Sequence, residues 1–227
     1  PTPNPLSPVR GAGVAGPRLL KLHEVQGNLF GAIPPETVLI HSCNCQGSWG
    51  GGVARIFNTQ FPGAYRVYKA HCDNNPVANI VGRALLIQPQ QGDPPNQYVA
   101  CLFTSARGGS RHDAKNVILQ HTESSMRGLL QELAWLEGLA PGTGRFSGGL
   151  RMPPINAGIF DVPWKDTHRL LHNMPLDENP KQGLGDGHTY ITVFDFIPGA
   201  PAPAESVKRG ANDSGCFFGG LGKKFRT

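Results

Sequence analysis

The run TVLIHSC at residues 37–43 constrains this chain more than any other feature, because it passes without a charged side chain and leads toward three consecutive glycines at 50–52. A strand with one wet face alternates polar and apolar residues, whereas a continuous run of this kind marks a strand covered on both faces. Such a strand needs a layer on each side, and the rest of the chain supplies them. KLHEVQGNLF (21–30) reads as a short strand ending in a glycine turn. After the glycines, Val53, Ile56 and Phe57 fall at helical spacing, and GAYRVYKAHC adds a second helical segment. GRALLIQP and YVACLFTS form a hairpin-like pair around the turn-rich QQGDPPNQ. Residues 114–139 place Val117, Ile118, Leu129, Leu130, Leu133 and Leu136 on a helix with an expected break at Gly128. LRMPPINAG gives another strand, PWKDTHRLLHNM a helix with Pro163 near its first turn, and HTYITVFDF a final strand.

Strands alternating with helices over residues 21–196 predict an α/β fold, a three-layer α/β/α domain with a mixed central sheet. Residues 1–20 and 197–227, rich in Gly and Pro, read as flexible extensions with nothing to bury. Ligands of such folds bind at the carboxyl ends of the strands. GSWGGGVAR and NAGIFDVPW both fall there.

Thirty glycines and 21 prolines among 227 residues predict many turns and exclude a helical bundle. The formal charge of +5 suits an anionic partner, but the basic residues are scattered, which favours a nucleotide-sized anion over strong nucleic-acid binding. No apolar run approaches the roughly 20 residues of a membrane span, and no secretory pattern opens the chain. A monomeric intracellular protein, cytoplasmic or nuclear, is expected. Five cysteines, mostly in or beside apolar runs, read as reduced thiols rather than a disulfide framework.

The cluster HSCNCQGSWGGG admits three chemistries. On a strand His41, Cys43 and Cys45 would share one side, but no second group of ligands at metal-binding spacing follows, so no metal is expected. Cys-x-Cys lacks the redox spacing and a neighbouring cation that would lower a thiol pKa. The glycines favour a cradle, because bare backbone N–H groups ahead of a helix suit phosphate oxygens. A plain turn remains the alternative. In PINAGIFDVPW a second loop, with Gly158 and Pro163 bracketing Phe160, can close on a ligand from the other side; a simple strand-to-helix connection is the competing reading. SARGGSRHD offers Ser105, Arg107, Gly108, Gly109, Arg111 and His112 at a third strand end, or a solvated loop. His41 itself reads equally as a core histidine.

Taken together, VQGNLF, LIHSCNCQGSWGGGVA, ACLFTS with GGSRHD, PPINAGIFDVPW and ITVFDF resemble a macro domain, in the form of the fungal ADP-ribose 1''-phosphate phosphatases. The resemblance implies metal-independent hydrolysis of ADP-ribose 1''-phosphate, a by-product of tRNA splicing, to ADP-ribose and phosphate, without a cofactor. By position it assigns Asn28, with neighbouring Leu29, to the adenine, where most members carry Asp, and it sets Phe196 to face the same ring. Gly50, Gly51, Gly52, Val53 and Ala54 would form the first phosphate loop, and Asn156, Ala157, Gly158, Ile159 and Phe160 the second. Asn44 would orient the terminal ribose and His41 would activate water, with His112 in reserve. Trp49 stands where viral members have His. Asp161 stands where Gly is usual, so a carboxylate beside the diphosphate is expected to repel it unless it points away. Two rival activities follow from the same resemblance. A hydrolase freeing ADP-ribose from acidic side chains would need Lys where this chain has Ser105, and a reader would bind ADP-ribose without turnover.

Overall fold

The computed structural model describes residues 18–176 and 190–195. Six strands form one sheet: β1 (Lys21–Gln26), β2 (Thr37–Asn44), β3 (Ala84–Ile87), β4 (Gln97–Ser105), β5 (Leu150–Met152) and β6 (Tyr190–Asp195). Their order is β1-β6-β5-β2-β4-β3, with every neighbouring pair parallel except the antiparallel hairpin of β3 and β4. The α/β expectation therefore holds. All residues of β4, and all of β2 but Ser42, are buried, as an unbroken apolar run requires.

Two helical layers cover the sheet, and the side-chain alternation of the strands sorts residues between them. Val38, Ile40 and Leu102 face α4 (Lys115–Leu139) and α5 (Trp164–His172) in a largely aliphatic cluster with Met126, Leu129, Leu133 and Leu171. Leu39, Cys43, Cys101 and Phe103 face α1 (Gly52–Gln60) and α2 (Pro62–Asn74), where they meet Trp49, Phe57, Phe61 and Tyr68. A short α3 (Val77–Ile80) precedes β3. The Asp93 carboxylate caps α2, accepting from Gly63 N at 2.6 Å and Ala64 N at 2.8 Å. No described helix is long and apolar enough to cross a membrane.

Two expectations are corrected. Gly128 does not break α4, which runs through it unbroken because its apolar stripe packs on both sides of that position. Leu20 is fully buried, and Leu20 N donates to Met174 O at 3.0 Å, so the folded unit begins before residue 21. The short strand expected in LRMPPINAG is β5, three residues long because Pro153 and Pro154 cannot donate to a ladder. Phe196, the 197–227 extension and most of the N-terminal one lie outside the described residues. Adjacent strands β5, β2 and β4 each run at their carboxyl end into a loop, and these three loops surround one cleft.

Candidate functional site

The first loop leaves β2 at a register irregularity between Cys43 and Asn44. Asn44 then acts as its spine. Its Oδ1 accepts from Gln46 N at 2.9 Å, Ser48 N at 3.4 Å and the Tyr68 hydroxyl at 3.1 Å, while its Nδ2 donates to Ser48 O at 2.7 Å. The chain emerges into the glycines, and α1 starts from Gly51 with no side-chain cap and no acidic residue in its first turn. Gly52 has φ +55°, a backbone that side chains rarely adopt. The first N–H groups of α1 are thus left to whatever occupies the cleft.

The second loop hangs on Asn156, buried at φ +66°. Its Oδ1 accepts from Thr104 Oγ1 at 2.9 Å, its Nδ2 donates to Thr122 Oγ1 at 2.9 Å and its backbone N to Ser42 Oγ at 3.2 Å. One side chain thereby ties β4, α4 and the loop together, and a Val162 N to Asn156 O bond of 3.1 Å closes the turn. Phe160 anchors the far end against Ile118 and Val162. The two loops meet where a Cβ on Gly51 would come within 2.7 Å of Ile159 Cδ1. Close approach is what glycine provides there.

The third loop, 106–113, is pinned from inside. Ser105 Oγ donates to Arg107 O at 2.7 Å and accepts from Asp113 N at 3.0 Å; the Asp113 carboxylate takes Ala106 N at 2.7 Å, and Gly108 N donates to Gln46 Oε1 at 3.0 Å. A Cβ on Gly108 would lie 3.1 Å from Asn44 Nδ2, so this loop closes the Asn44 end of the cleft. His112 is half-buried at the rim, its ring 6.3 Å from that of Phe160. Its Nδ1 lies 2.9 Å from Asp113 O; a carbonyl only accepts, which assigns the proton to Nδ1 and leaves Nε2 available to take one.

Between the loops lies a cleft of about 480 Å³, the size range of a small-molecule site. It is lined by Asn44, Gly50, Gly51, Gly52, Val53, Ala54, Asn156, Gly158, Ile159 and Phe160, all expected from sequence. Gly108 and Gly109 of the third strand-end loop join them, and the structure adds Ser42, Gln46 and Ser48. Gln46 had a signal in the sequence, a polar residue between Asn44 and the glycines. Ser42 had none, because its role depends on Asn156 crossing from another loop.

Several expected residues lie elsewhere. His41 does not line the cleft: it is fully buried on the α1 side of β2, stacked on Phe57 at 4.0 Å between ring centroids and edge-on to Trp49 at 4.7 Å. It therefore does not reach a cleft-bound water, and the core reading of this histidine is the right one. Leu29 is buried in the same aromatic cluster. Asn28 uses its Oδ1 to accept from Phe30 N at 2.9 Å. Ser105 organises its loop from a buried position, and Ala157 is exposed outside the lining. Asp161 is also exposed outside the lining, at φ +50°. That backbone explains why glycine suits the position, and the exposure removes the expected clash with an anion.

His41, Cys43 and Cys101 are a group among the described residues whose potential ligand atoms all lie within 4.8 Å of one another. They offer three ligands where a structural zinc takes four. Burial, and then the neighbouring Cys101, push the Cys43 thiol well above its usual pKa, which disfavours the thiolate a metal needs.

With this geometry in view, the macro domain family model matches residues 40–171. A macro domain is what this chain is: it belongs to that family, and the sheet, the glycine-lined cleft and the sequence match agree. A protein of Chaetomium globosum called ADP-ribose 1''-phosphate phosphatase is 41% identical over 176 residues, covering 75% of this chain and 93% of its own. A Meyerozyma guilliermondii protein of the same name is 40% identical, covering 66% and 92%. Among solved structures, the macrodomain of Thermus aquaticus DarG superposes with a TM-score of 0.53 at 21% identity, covering 77% of this chain and 97% of that one, which speaks to the fold alone.

Proposed function

We propose that this protein is a phosphomonoester hydrolase that converts ADP-ribose 1''-phosphate to ADP-ribose and phosphate. The observation that carries the reading is the cleft itself: two glycine loops and an uncapped helix start, joined without a charged lining side chain, in a chain 41% identical to a protein of that name. Backbone N–H groups in this position hold a diphosphate without the length and mobility of lysines. Asn44, fixed by its four hydrogen bonds, positions the terminal ribose.

In the chemical step a water oxygen bonds to phosphorus while the bond from phosphorus to the ribose oxygen breaks. The water loses a proton and the departing ribose oxygen gains one. His112, with Nδ1 held against Asp113 O and its ring 6.3 Å from that of the lining residue Phe160, is our candidate to take the proton from water through Nε2 and pass it on. The diphosphate is held by N–H groups, so the reading requires no metal there.

A non-catalytic ADP-ribose reader is the second reading. It is favoured by the lining, whose one titratable side chain is Cys43, a thiol held neutral by burial. Phosphate release from ADP-ribose 1''-phosphate in the presence of a chelator, measured beside calorimetric titration with ADP-ribose, separates the two. Release is the expected result. Binding without release would establish the reader, and neither would remove ADP-ribose derivatives from consideration.

A further inference from the structure

The proposed substrate carries a diphosphate and a phosphomonoester, and the latter alone brings about −1.5 to −2 charges at neutral pH. A helix N-terminus offers roughly half a charge in return. No lining residue of the cleft is charged, so the phosphomonoester has to find its counter-charge at the rim. The third loop is where cations stand. Arg107 immediately precedes the lining pair Gly108–Gly109, and Arg111 follows two residues later, closing the short 3₁₀ turn Gly109–Arg111. Both arginines are exposed, and neither makes an ion pair with a described residue. The loop's one carboxylate, Asp113, is engaged by Ala106 N rather than by either guanidinium.

Position and rigidity favour the same end of the cleft. Gly108 packs on Asn44 and is tied to Gln46, so the arginine-bearing loop borders the Asn44 end of the cleft. The pins from Ser105 and Asp113 fix the backbone from which two long side chains extend. Guanidinium groups pair with phosphate oxygens in a planar, bidentate manner that backbone N–H groups alone do not supply.

We infer that Arg107 and Arg111 form the subsite for the phosphomonoester group, and so decide that the cleft prefers a phosphorylated ADP-ribose to ADP-ribose itself. The inference rests on the substrate class proposed above, but it is read by binding as well as by turnover. Calorimetric titration of the full chain with ADP-ribose 1''-phosphate and with ADP-ribose gives the ratio of the two affinities. The double variant Arg107→Ala/Arg111→Ala is expected to lose about tenfold in affinity and KM for the phosphorylated ligand while its ADP-ribose Kd stays within about twofold. Its affinity for the phosphorylated ligand also becomes less sensitive to salt.

Arg66→Ala, an exposed change on α2, controls for net charge, and Arg107→Lys/Arg111→Lys retains part of the preference. An unchanged ratio in the double alanine variant overturns the inference, as does an equal loss for both ligands or an equal effect of Arg66→Ala. If the wild-type chain releases no phosphate but prefers the phosphorylated ligand through these arginines, the catalytic reading fails and the subsite stands.

Discussion

His41 and His112 sit near the carboxyl ends of paired strands, yet they occupy opposite environments. Around His41 everything is dry: Phe57 stacks on the ring, Trp49 meets its edge, and Cys43 Sγ lies 3.5 Å from Nε2. Around His112 the chain is a hydrogen-bonded loop, and the ring is half-buried with one nitrogen committed to a carbonyl. A histidine transfers protons only where both protonation states can be accommodated and a reacting group can approach. The aromatic layer over β2 closes His41 off from the cleft, whereas His112 is only part-buried, beside the lining residue Phe160. Resemblance assigned catalysis to the first, and the full burial of that ring is why the second is the one proposed here.

The comparison breaks most readily on catalysis. His112→Ala should lower kcat by about 10²-fold or more, with ADP-ribose affinity and Tm nearly unchanged. His41→Ala should instead lower stability, with kcat per folded molecule retained. Loss of kcat in a folded His41→Ala protein and none in His112→Ala would reverse the assignment. Phe57→Ala, which removes the ring under His41, should cost about 3–5 kcal/mol in denaturant unfolding, as large aromatic truncations in filled cores do. A cost below 1 kcal/mol would mean that the aromatic layer is loosely packed.

Smaller effects sharpen the contrast at the loops. Asn156→Ala strands Thr104 and Thr122 without their shared partner and should cost about 1–3 kcal/mol, together with weaker ADP-ribose binding. Gly51→Ala meets only the flexible end of Ile159, so Tm should hardly move while ADP-ribose affinity falls; Ile159→Ala in the same chain should recover part of it. No recovery would show that the added methyl obstructs the phosphates directly.

The thiol-rich face also gives a pH test. Burial raises the Cys45 thiol to about 12 and the Cys72 thiol to about 11, from 9.0. Above pH 9 the unfolded chain releases these protons before the folded chain does, so the unfolded state binds fewer protons and stability falls as pH rises from 9 toward 12. Tm should be flat below pH 8 and decline above 9, with a shallower decline in Cys45→Ala. An unchanged slope would place the titrating groups elsewhere.

Most of the architecture was legible because it is written in local patterns. The buried run 37–43, the hairpin around 88–96 and the helix opened by Pro163 are each properties of ten or so neighbouring residues. The two glycine loops were legible for the same reason. His41 was not, because a polar residue at the end of an apolar strand has the same neighbours in sequence whether an aromatic layer covers it or a cleft opens on it. Ser105 misled similarly: its position at the carboxyl end of β4 was right, but its hydroxyl was spent on Arg107 and Asp113.

Local patterns along the chain specify the alternation of strands and helices, the glycine loops at strand ends and the family they spell. Which side chains meet depends on the assembled fold. Cys101 lies beside His41 because β4 pairs with β2 in one particular register, and Asn156 joins Thr104 to Thr122 across two elements far away in the chain. Periodicity is set by the geometry of one segment, whereas these contacts arise from sheet order and loop closure. That is why the cleft could be anticipated from the chain, but not that an aromatic layer would cover His41.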